Sequence, residues 1–300
     1  MREVIGVSGA SGALGRLVAE LLLSDPATAD RVVLTTRSPA ALADLAARGA
    51  DVRAADFDEP STLPTAFEGI DRLLLISASN AVGDRVAQHG AAVDAAKTGG
   101  VRHVVFTSMP RVDDANHPLG FPAHEYFGSE QLVIASGLSW TVLRNGPYAE
   151  LNLVERIADS VVGNALVTNT GGGRMALISR DDCAAAAVAV LTTGGHEAEI
   201  YDITGPEAVS YEEIAQQISE AIDRPVSHRS IEDDAMVKRL LDAGEGELMA
   251  TLRTALGVAI REGYYADLSP TLEQLTGRRG RLTTDVLRQH RARLRDIFHG

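Results

Sequence analysis

The sequence predicts an α/β fold: a doubly wound parallel sheet followed by a smaller, mostly helical C-terminal substrate lobe. Three observations carry that reading. Short β-branched runs alternate with Ala- and Leu-rich stretches through the first 145 residues. The first run enters GVSGASGALG, with glycines at 6, 9, 12 and 15. Beyond residue 146 the alternation loosens.

The elements follow in order. EVIGVS (3–8) is the first strand and LGRLVAELLL (14–23) its helix. RVVLTT (31–36) leads to a helix opened by Ser38 and Pro39, a capping residue followed by the one favoured at the first helical position. DVRAAD (51–56) leads to a short helix after Pro60, and RLLLIS (72–77) to a longer one from about Gly83 to Lys97. HVVFTS (103–108) precedes a helix near 122–136, and SWTVLR (139–144) is the sixth strand. A helix then starts at Pro147. GNALVTNTGGGRMALIS (163–179) reads as two short strands joined by a flexible Gly171-Gly172-Gly173. A helix over 178–193 is capped by Ser179 or Asp181, EIYDIT (199–204) is a strand, and acidic-faced helices such as SYEEIAQQISEAI follow. The expected division is a nucleotide-binding unit over 1–146, completed by about 178–204, with 147–177 and 205–300 forming the smaller lobe.

Composition bounds the function. The chain has 300 residues, 45 % of them hydrophobic, and a formal net charge of -13, which leaves no field to attract nucleic acid or an anionic membrane surface. Its longest apolar run, CAAAAVAVL (183–191), is far short of the roughly 20 residues a membrane span needs. No export signal is expected at the N-terminus, so a soluble, cytoplasmic protein is predicted. The single cysteine, Cys183, precedes an alanine-rich run and reads as a small buried apolar residue.

The glycines have a physical purpose. Where a strand turns into a helix, the unpaired amides of the first helical turn converge and the helix dipole favours negative charge. A diphosphate can rest there only if side chains are absent. Gly9 suits the turn, Gly12 the phosphate approach and Gly15 the packing of helix on strand, while Gly6 lies within the strand. Ser11, Ala13 and Leu14 share the turn. At the end of strand two, a carboxylate would bind the ribose of NAD; the sequence instead reads LTTRSP, and Arg37 favours NADP(H) over NAD(H). Asp56, ending strand three, reads equally as a neighbour of the adenine and as a turn residue.

No activated tyrosine is evident. The chain has lysines only at 97 and 238, so a Tyr-x-x-x-Lys pair is missing; Tyr126 is followed by Glu130, whose charge would raise the phenol's pKa. Neither a metal-binding His/Cys cluster nor a nucleophile elbow appears.

Taken together and in order, GASGALG, TTRSP, ADFDEP, LLLIS, HVVFTS, LRNGPYAE, SRDDCAAAA and YDITGPEAVSYEEIA resemble the NmrA-like branch of atypical short-chain dehydrogenases, over about residues 1 to 230. The resemblance implies a Rossmann domain binding NADP(H), a small C-terminal lobe, and a cleft between them for a planar aromatic acceptor such as a quinone. It places the glycine turn on Gly9, Gly12 and Gly15, the 2′-phosphate arginine on Arg37, and cofactor-lining strand ends on Ser77, Thr107 and Ser108. Its LRN motif falls on Arg144-Asn145, with Tyr148 after it. The nearest relatives carry a histidine four residues before a glutamate where this chain has Tyr126 and Glu130, with His124 nearby; that departure bears on substrate more than on cofactor. A homodimer is a family-level expectation.

A quinone accepts a hydride readily once positioned, so orientation and hydrogen-bond donors suffice. Asn145 and Tyr148 are candidates for the developing oxyanion, and Tyr126 and His124 for proton donation or substrate contact. Asn145 reads equally as a cap for the helix after Pro147. The alternative function is a non-catalytic redox sensor that binds the dinucleotide and signals to a protein. A reductase of the isoflavone-reductase kind is a third reading, but it expects a lysine in the helix after strand five, and none stands between 98 and 237.

Overall fold

A computed structural model describes residues 3–78 and 84–299 of the chain. Within the first half lie strands β1 (Ile5–Val7), β2 (Val32–Thr36), β3 (Asp51–Ala54), β4 (Arg72–Leu75), β5 (His103–Ser108) and β6 (Ser139–Asn145). Helices α1 (Ala13–Ser24), α2 (Ala43–Ala47), α3 (Leu63–Phe67), α4 (Arg85–Thr98) and α5 (Phe121–Ala135) alternate with them. Gly83, the expected start of the fourth long helix, lies outside the described residues. Then come β7 (Val161–Val162), β8 (Ala165–Thr168), β9 (Arg174–Met175), α6 (Arg180–Thr192), β10 (Glu199–Ile203) and β11 (Val209–Ser210). The chain ends with α7 (Tyr211–Ile222), β12 (Ser227–Ser230), α8 (Asp233–Asp242), α9 (Glu247–Arg261), α10 (Thr271–Thr276), α11 (Thr283–Gln289) and α12 (Arg291–His299).

Seven strands form one wholly parallel sheet in the order β10-β6-β5-β4-β1-β2-β3. The order reverses between β1 and β4, where Ile5 pairs with Val32 on one side and Arg72 on the other. Connections leave that point in opposite directions and open a crevice beyond the strands' C-terminal ends. Alternate strand residues serve opposite faces. Leu34, Leu74, Val105 and Leu143 pack with α1 and α6, including Val18, Leu22, Ala187 and Val190. Val33, Leu73, Val104 and Phe106 pack with α3, α4 and α5 through Leu63, Phe67, Ala96 and Val133. Both faces are covered, which is why the strands read as continuous apolar runs.

The second lobe has its own core, in which Leu153, Leu166, Met175, Ile214, Ile218, Ile260, Leu287 and Phe298 meet. The two short strands expected on either side of the triple glycine exist but do not pair with each other. β8 lies between β7 and β12, and β9 pairs with β11. The glycines serve contact as well as turning: a Cβ on Gly173 would stand 2.3 Å from the Ile260 carbonyl oxygen. Ser179, not Asp181, caps α6 by accepting from the Asp182 amide. Ser38 occupies the cap position of a 3₁₀ turn at Pro39–Leu42, but its side chain makes no capping bond.

Two buried histidines act as neutral rings, His89 joining α4 to α5 and to the chain after β4, and His103 joining β5 to β4 and β6. The His89 Nε2 accepts from the Ala78 amide at 2.9 Å and Nδ1 faces Ser129 Oγ at 2.8 Å. Burial, with the Arg85 charge beside it, pushes His89 down to about 3. Burial and the Arg72 guanidinium likewise push His103 down to about 4. Both folded values lie below the unfolded one near 6.5, so the unfolded chain takes up protons first as pH falls. Stability is therefore expected to be fully present above pH 6.5 and to decline below it, by up to about 1.4 kcal/mol per pH unit for each histidine. Urea denaturation at pH 7, 6 and 5 measures the slope, and His89→Gln, whose amide does not titrate, should reduce it.

Candidate functional site

A cleft of about 580 Å³ occupies the crevice above the β1/β4 switch point, walled on its far side by the second lobe. Its floor is the turn after β1. Gly9 takes φ +63°, a conformation glycine adopts without strain. The Gly12 amide donates to the Gly9 carbonyl at 2.9 Å, and the Ala10 amide to the Thr35 carbonyl of β2 at 3.0 Å. A Cβ on Gly15 would stand 2.4 Å from the Gly9 oxygen and 2.9 Å from the Ala10 Cα, so α1 reaches this depth only through a glycine. Gly12 is the N-cap of α1 and supplies no side-chain bond, and no acidic residue stands in the helix's first turn. Ser11, Gly12, Ala13, Leu14 and Gly15 face the cleft beside Gly9. Beyond the Gly12 amide, the N-terminal amides of α1 and the positive end of its dipole have no such partner and face the cleft.

The other predicted cofactor residues surround this turn. Ser11 Oγ lies 2.8 Å from Thr36 Oγ1. Arg37, next along, lines the cleft, is exposed, and makes no side-chain hydrogen bond or ion pair among the described residues. Asp56 satisfies both of its readings: Oδ1 accepts from the Asp58 amide at 3.0 Å in a turn, and the residue lines the cleft. At the ends of β4 and β5, Thr107 Oγ1 accepts from the Ser77 amide at 2.9 Å. The same hydroxyl donates to Ser77 Oγ at 3.3 Å, and Ser77 Oγ donates to the Tyr126 hydroxyl at 3.5 Å. Ser108 Oγ is buried without a partner.

Asn145, at the end of β6, is a cleft residue rather than a helix cap. Its Nδ2 donates to the Tyr148 hydroxyl at 3.2 Å, while its Oδ1 is buried with no donor. Because that phenol oxygen accepts from Asn145, its own proton is free to be given to the cleft. Burial raises the Tyr148 pKa above the ordinary value, so the group stays protonated through the physiological range. His124 is the predicted residue that the structure does not bring to the cleft: it is exposed, with Nε2 against the Ala115 carbonyl at 3.2 Å. Two residues along an α-helix is about 200° of rotation, so His124 and Tyr126 cannot face the same way. Glu130 is held by Arg144, while Arg85 lies over the Tyr126 ring at 4.6 Å.

Sequence reasoning missed the far wall. Met109, Leu151, Met175, Leu256 and Tyr265 give it an apolar and aromatic surface, with Arg156 and Arg180 beside them. Tyr265 is buried, and burial raises its pKa. These residues come from separate stretches of chain, and only packing joins them. Cys183 is buried in the core with its thiol pKa pushed up by burial. Among the described residues no His/Cys/Asp/Glu group could hold a metal ion, and no helix is long and apolar enough to cross a membrane.

Comparison with known proteins agrees with this geometry. Residues 9–194 match the NAD(P)H-binding family. Quinone oxidoreductase 2 of Escherichia coli is 32% identical over 274 residues, 91% of this chain and 94% of that protein. Its complex with NADPH superimposes with a TM-score of 0.88, covering 95% of this chain and 99% of the other at 31% identity. NAD(P)H azoreductase of Xenophilus azovorans is 31% identical over 96% of this chain and 98% of its own. The triphenylmethane reductase of Citrobacter sp., complexed with NADP(H), superimposes with a TM-score of 0.85 at 30% identity over 95% and 99% of the two chains.

The glycines separate two effects. Gly15→Ala forces backbone apart and is expected to cost about 1–3 kcal/mol of stability. A Cβ on Gly12 meets only the Gly9 oxygen, at 3.2 Å, so Gly12→Ala should cost less than Gly15→Ala while obstructing the approach of a diphosphate. Thermal melts paired with calorimetric titration of NADP⁺ distinguish the two outcomes.

Proposed function

The chain belongs to the NAD(P)H-binding family, and on that premise we propose that it is an NADPH-dependent reductase transferring a hydride to a quinone or a similar planar conjugated acceptor. One observation carries the reading. A single cleft joins the uncapped start of α1 and Arg37, unpaired among the described residues, at one end to an apolar, aromatic wall at the other. Between them stand the unpartnered polar atoms Ser108 Oγ and Asn145 Oδ1. A dinucleotide fits the first end and a flat acceptor the second. The three relatives named above, each a reductase by name, support the same reading over the sensor.

The residues would divide the work as follows. The amides of Ser11, Ala13 and Leu14 hold the diphosphate, with Gly9, Gly12 and Gly15 keeping side chains out of its way. Arg37 takes the 2′-phosphate in a charge-assisted contact, with Ser11 beside it. Asp56 borders the adenine end, and Ser77, Thr107 and Ser108 line the path toward the nicotinamide. When bound, the reduced coenzyme supplies the hydride. The acceptor oxygen that gains negative charge receives the Tyr148 proton in a hydrogen bond, and Asn145 fixes the direction of that phenol. One proton completes the hydroquinone, and the hydroxyl series Tyr126, Ser77 and Thr107 would carry it. His124, directed away from the cleft, has no part in this. The absent lysine matters little, because a quinone does not need a strongly acidic phenol to accept a hydride. The division into a nucleotide-binding unit over 1–146 with 178–204 and a substrate lobe over 147–177 and 205–300 belongs to the same proposal. So do a cytoplasmic location and a homodimer, for which Phe121, Phe127 and Leu132 give α5 an exposed apolar surface.

Purified protein mixed with NADPH and a panel of benzoquinones and naphthoquinones should consume the coenzyme well above the spontaneous rate. Tight NADP⁺ binding without consumption would favour the sensor. Arg37→Ser should raise the Kd ratio of NADPH to NADH by at least about tenfold, and an unchanged ratio would remove the 2′-phosphate assignment. Tyr148→Phe is expected to lower kcat by about 10²-fold with KM for NADPH nearly unchanged, read from initial rates.

A further inference from the structure

The charges of the cleft have a pattern that neither the coenzyme nor a neutral quinone explains. Three arginines line it: Arg37, Arg156 and Arg180. Arg37 stands at the coenzyme's ribose end. Arg180 is neutralised, since both of its terminal nitrogens bond Glu155, and its guanidinium rests over the Tyr148 ring at 5.3 Å. Arg156 differs from both. Its guanidinium is exposed and makes no hydrogen bond or ion pair among the described residues; Glu155, which feels its charge, is committed to Arg180. It also sits on a firm base. The π-helical turn Leu151–Glu155 buries Leu153 and Val154 in the lobe's core, and the Arg156 amide closes that turn on the Leu151 carbonyl at 3.0 Å. A cation held beside an apolar wall, in a chain of net charge -13, is the local reverse of the molecule's overall field.

We propose that Arg156 is an anion subsite at the acceptor end of the cleft, and that the preferred acceptor is a conjugated ring system bearing an acidic substituent: a carboxylate, sulfonate or phosphate. The proposal rests on the reductase reading above and names its substrate class. The ring lies against Met109, Leu151, Met175 and Leu256, burying apolar surface, while the acidic group reaches the guanidinium at the edge. Arginine suits this better than lysine would, because its planar fork matches all three oxyanion groups.

The test compares a naphthoquinone with its sulfonate, and separately measures binding of naphthalene sulfonate, which cannot be reduced, to the NADP⁺-loaded protein. Wild type should favour the sulfonated quinone in kcat/KM, and the preference should shrink as salt screens the pair. Arg156→Gln should raise the ratio of KM for the sulfonate to KM for its parent by about tenfold and weaken naphthalene sulfonate by a similar factor, whereas Arg156→Lys should retain part of both. A ratio and a naphthalene sulfonate affinity that both stay within twofold in Arg156→Gln overturn the subsite, even if every quinone is reduced. Failure to reduce any quinone would sink the reductase reading alone, because the naphthalene sulfonate titration still decides the role of Arg156.

Discussion

The approach of α1 to the turn after β1 is the contact on which the rest of the site depends. Gly15 lets the helix backbone come so near the Gly9 carbonyl that no side chain could intervene, and Gly9 takes the positive φ that points that carbonyl inward. Were α1 to sit further out, its amides would no longer meet above the β1/β4 switch point. The helix is then anchored from behind by α6 through Val18, Ala19, Leu22, Ala184 and Ala187, all essentially buried. The alanine-rich sequence of α6 is what permits that closeness. The loop amides, the sheet edge and a helix from far along the chain are thus one packed unit, and close-packed interiors transmit small displacements. The position of the α1 amides above the switch point is a consequence of this packing.

Much of this architecture was legible because it is local. Parallel strands buried on both faces announce themselves as apolar runs, and a glycine-rich turn between such a run and an amphipathic helix marks the place where a helix start is kept bare for a phosphate. The position of Arg37 at the cleft could be read because it is fixed by counting along one strand. What escaped depended on distant chain segments meeting. Tyr265, Arg156 and Met175 carry no signal in their neighbourhoods, since nothing near them says which face of the lobe will close on the cleft. His124 and Tyr126 could not be separated until the phase of α5 was set by Ser129, Glu130 and Val133 turning inward. The two strands flanking Gly171 to Gly173 were legible, but their partners were not: Gly173 is pressed on the Ile260 carbonyl of α9, and the strands lie in different sheets.

Electrostatics divides the surface from the cleft. An excess of carboxylates keeps the exterior negative, which works against anionic ligands at long range. Inside the cleft the positive end of α1 and the guanidinium of Arg37 act over a few ångströms, where geometry outweighs net charge. Glu155 tunes this balance: by engaging Arg180 it turns one of the cleft's cations into a support for the Tyr148 ring. The neutral phenol of Tyr148 suits such a setting, since burial disfavours its ionised form and preserves it as a donor.

The missing lysine and Arg144 belong to one arrangement. Glu130 occupies the place four residues after Tyr126 and is wholly buried, with its two oxygens 3.0 and 2.8 Å from the Nε and Nη2 of Arg144. A lysine at that place would put two cations in contact in a site already short of water, so a chain that keeps Arg144 has no room for it. Removing Arg144 would strand the buried Glu130 carboxylate at a cost of about 3–5 kcal/mol, which makes the pair a strong tie between α5 and β6. Tyr126 stands one turn before the tie on the helix, and Asn145 one residue after it on the strand. The pair therefore holds a phenol and an amide in register across the cleft while excluding the cation that would acidify the phenol. Catalysis built on such a frame has to draw on the reactivity of the acceptor and the accuracy of its placement, not on the acidity of a side chain.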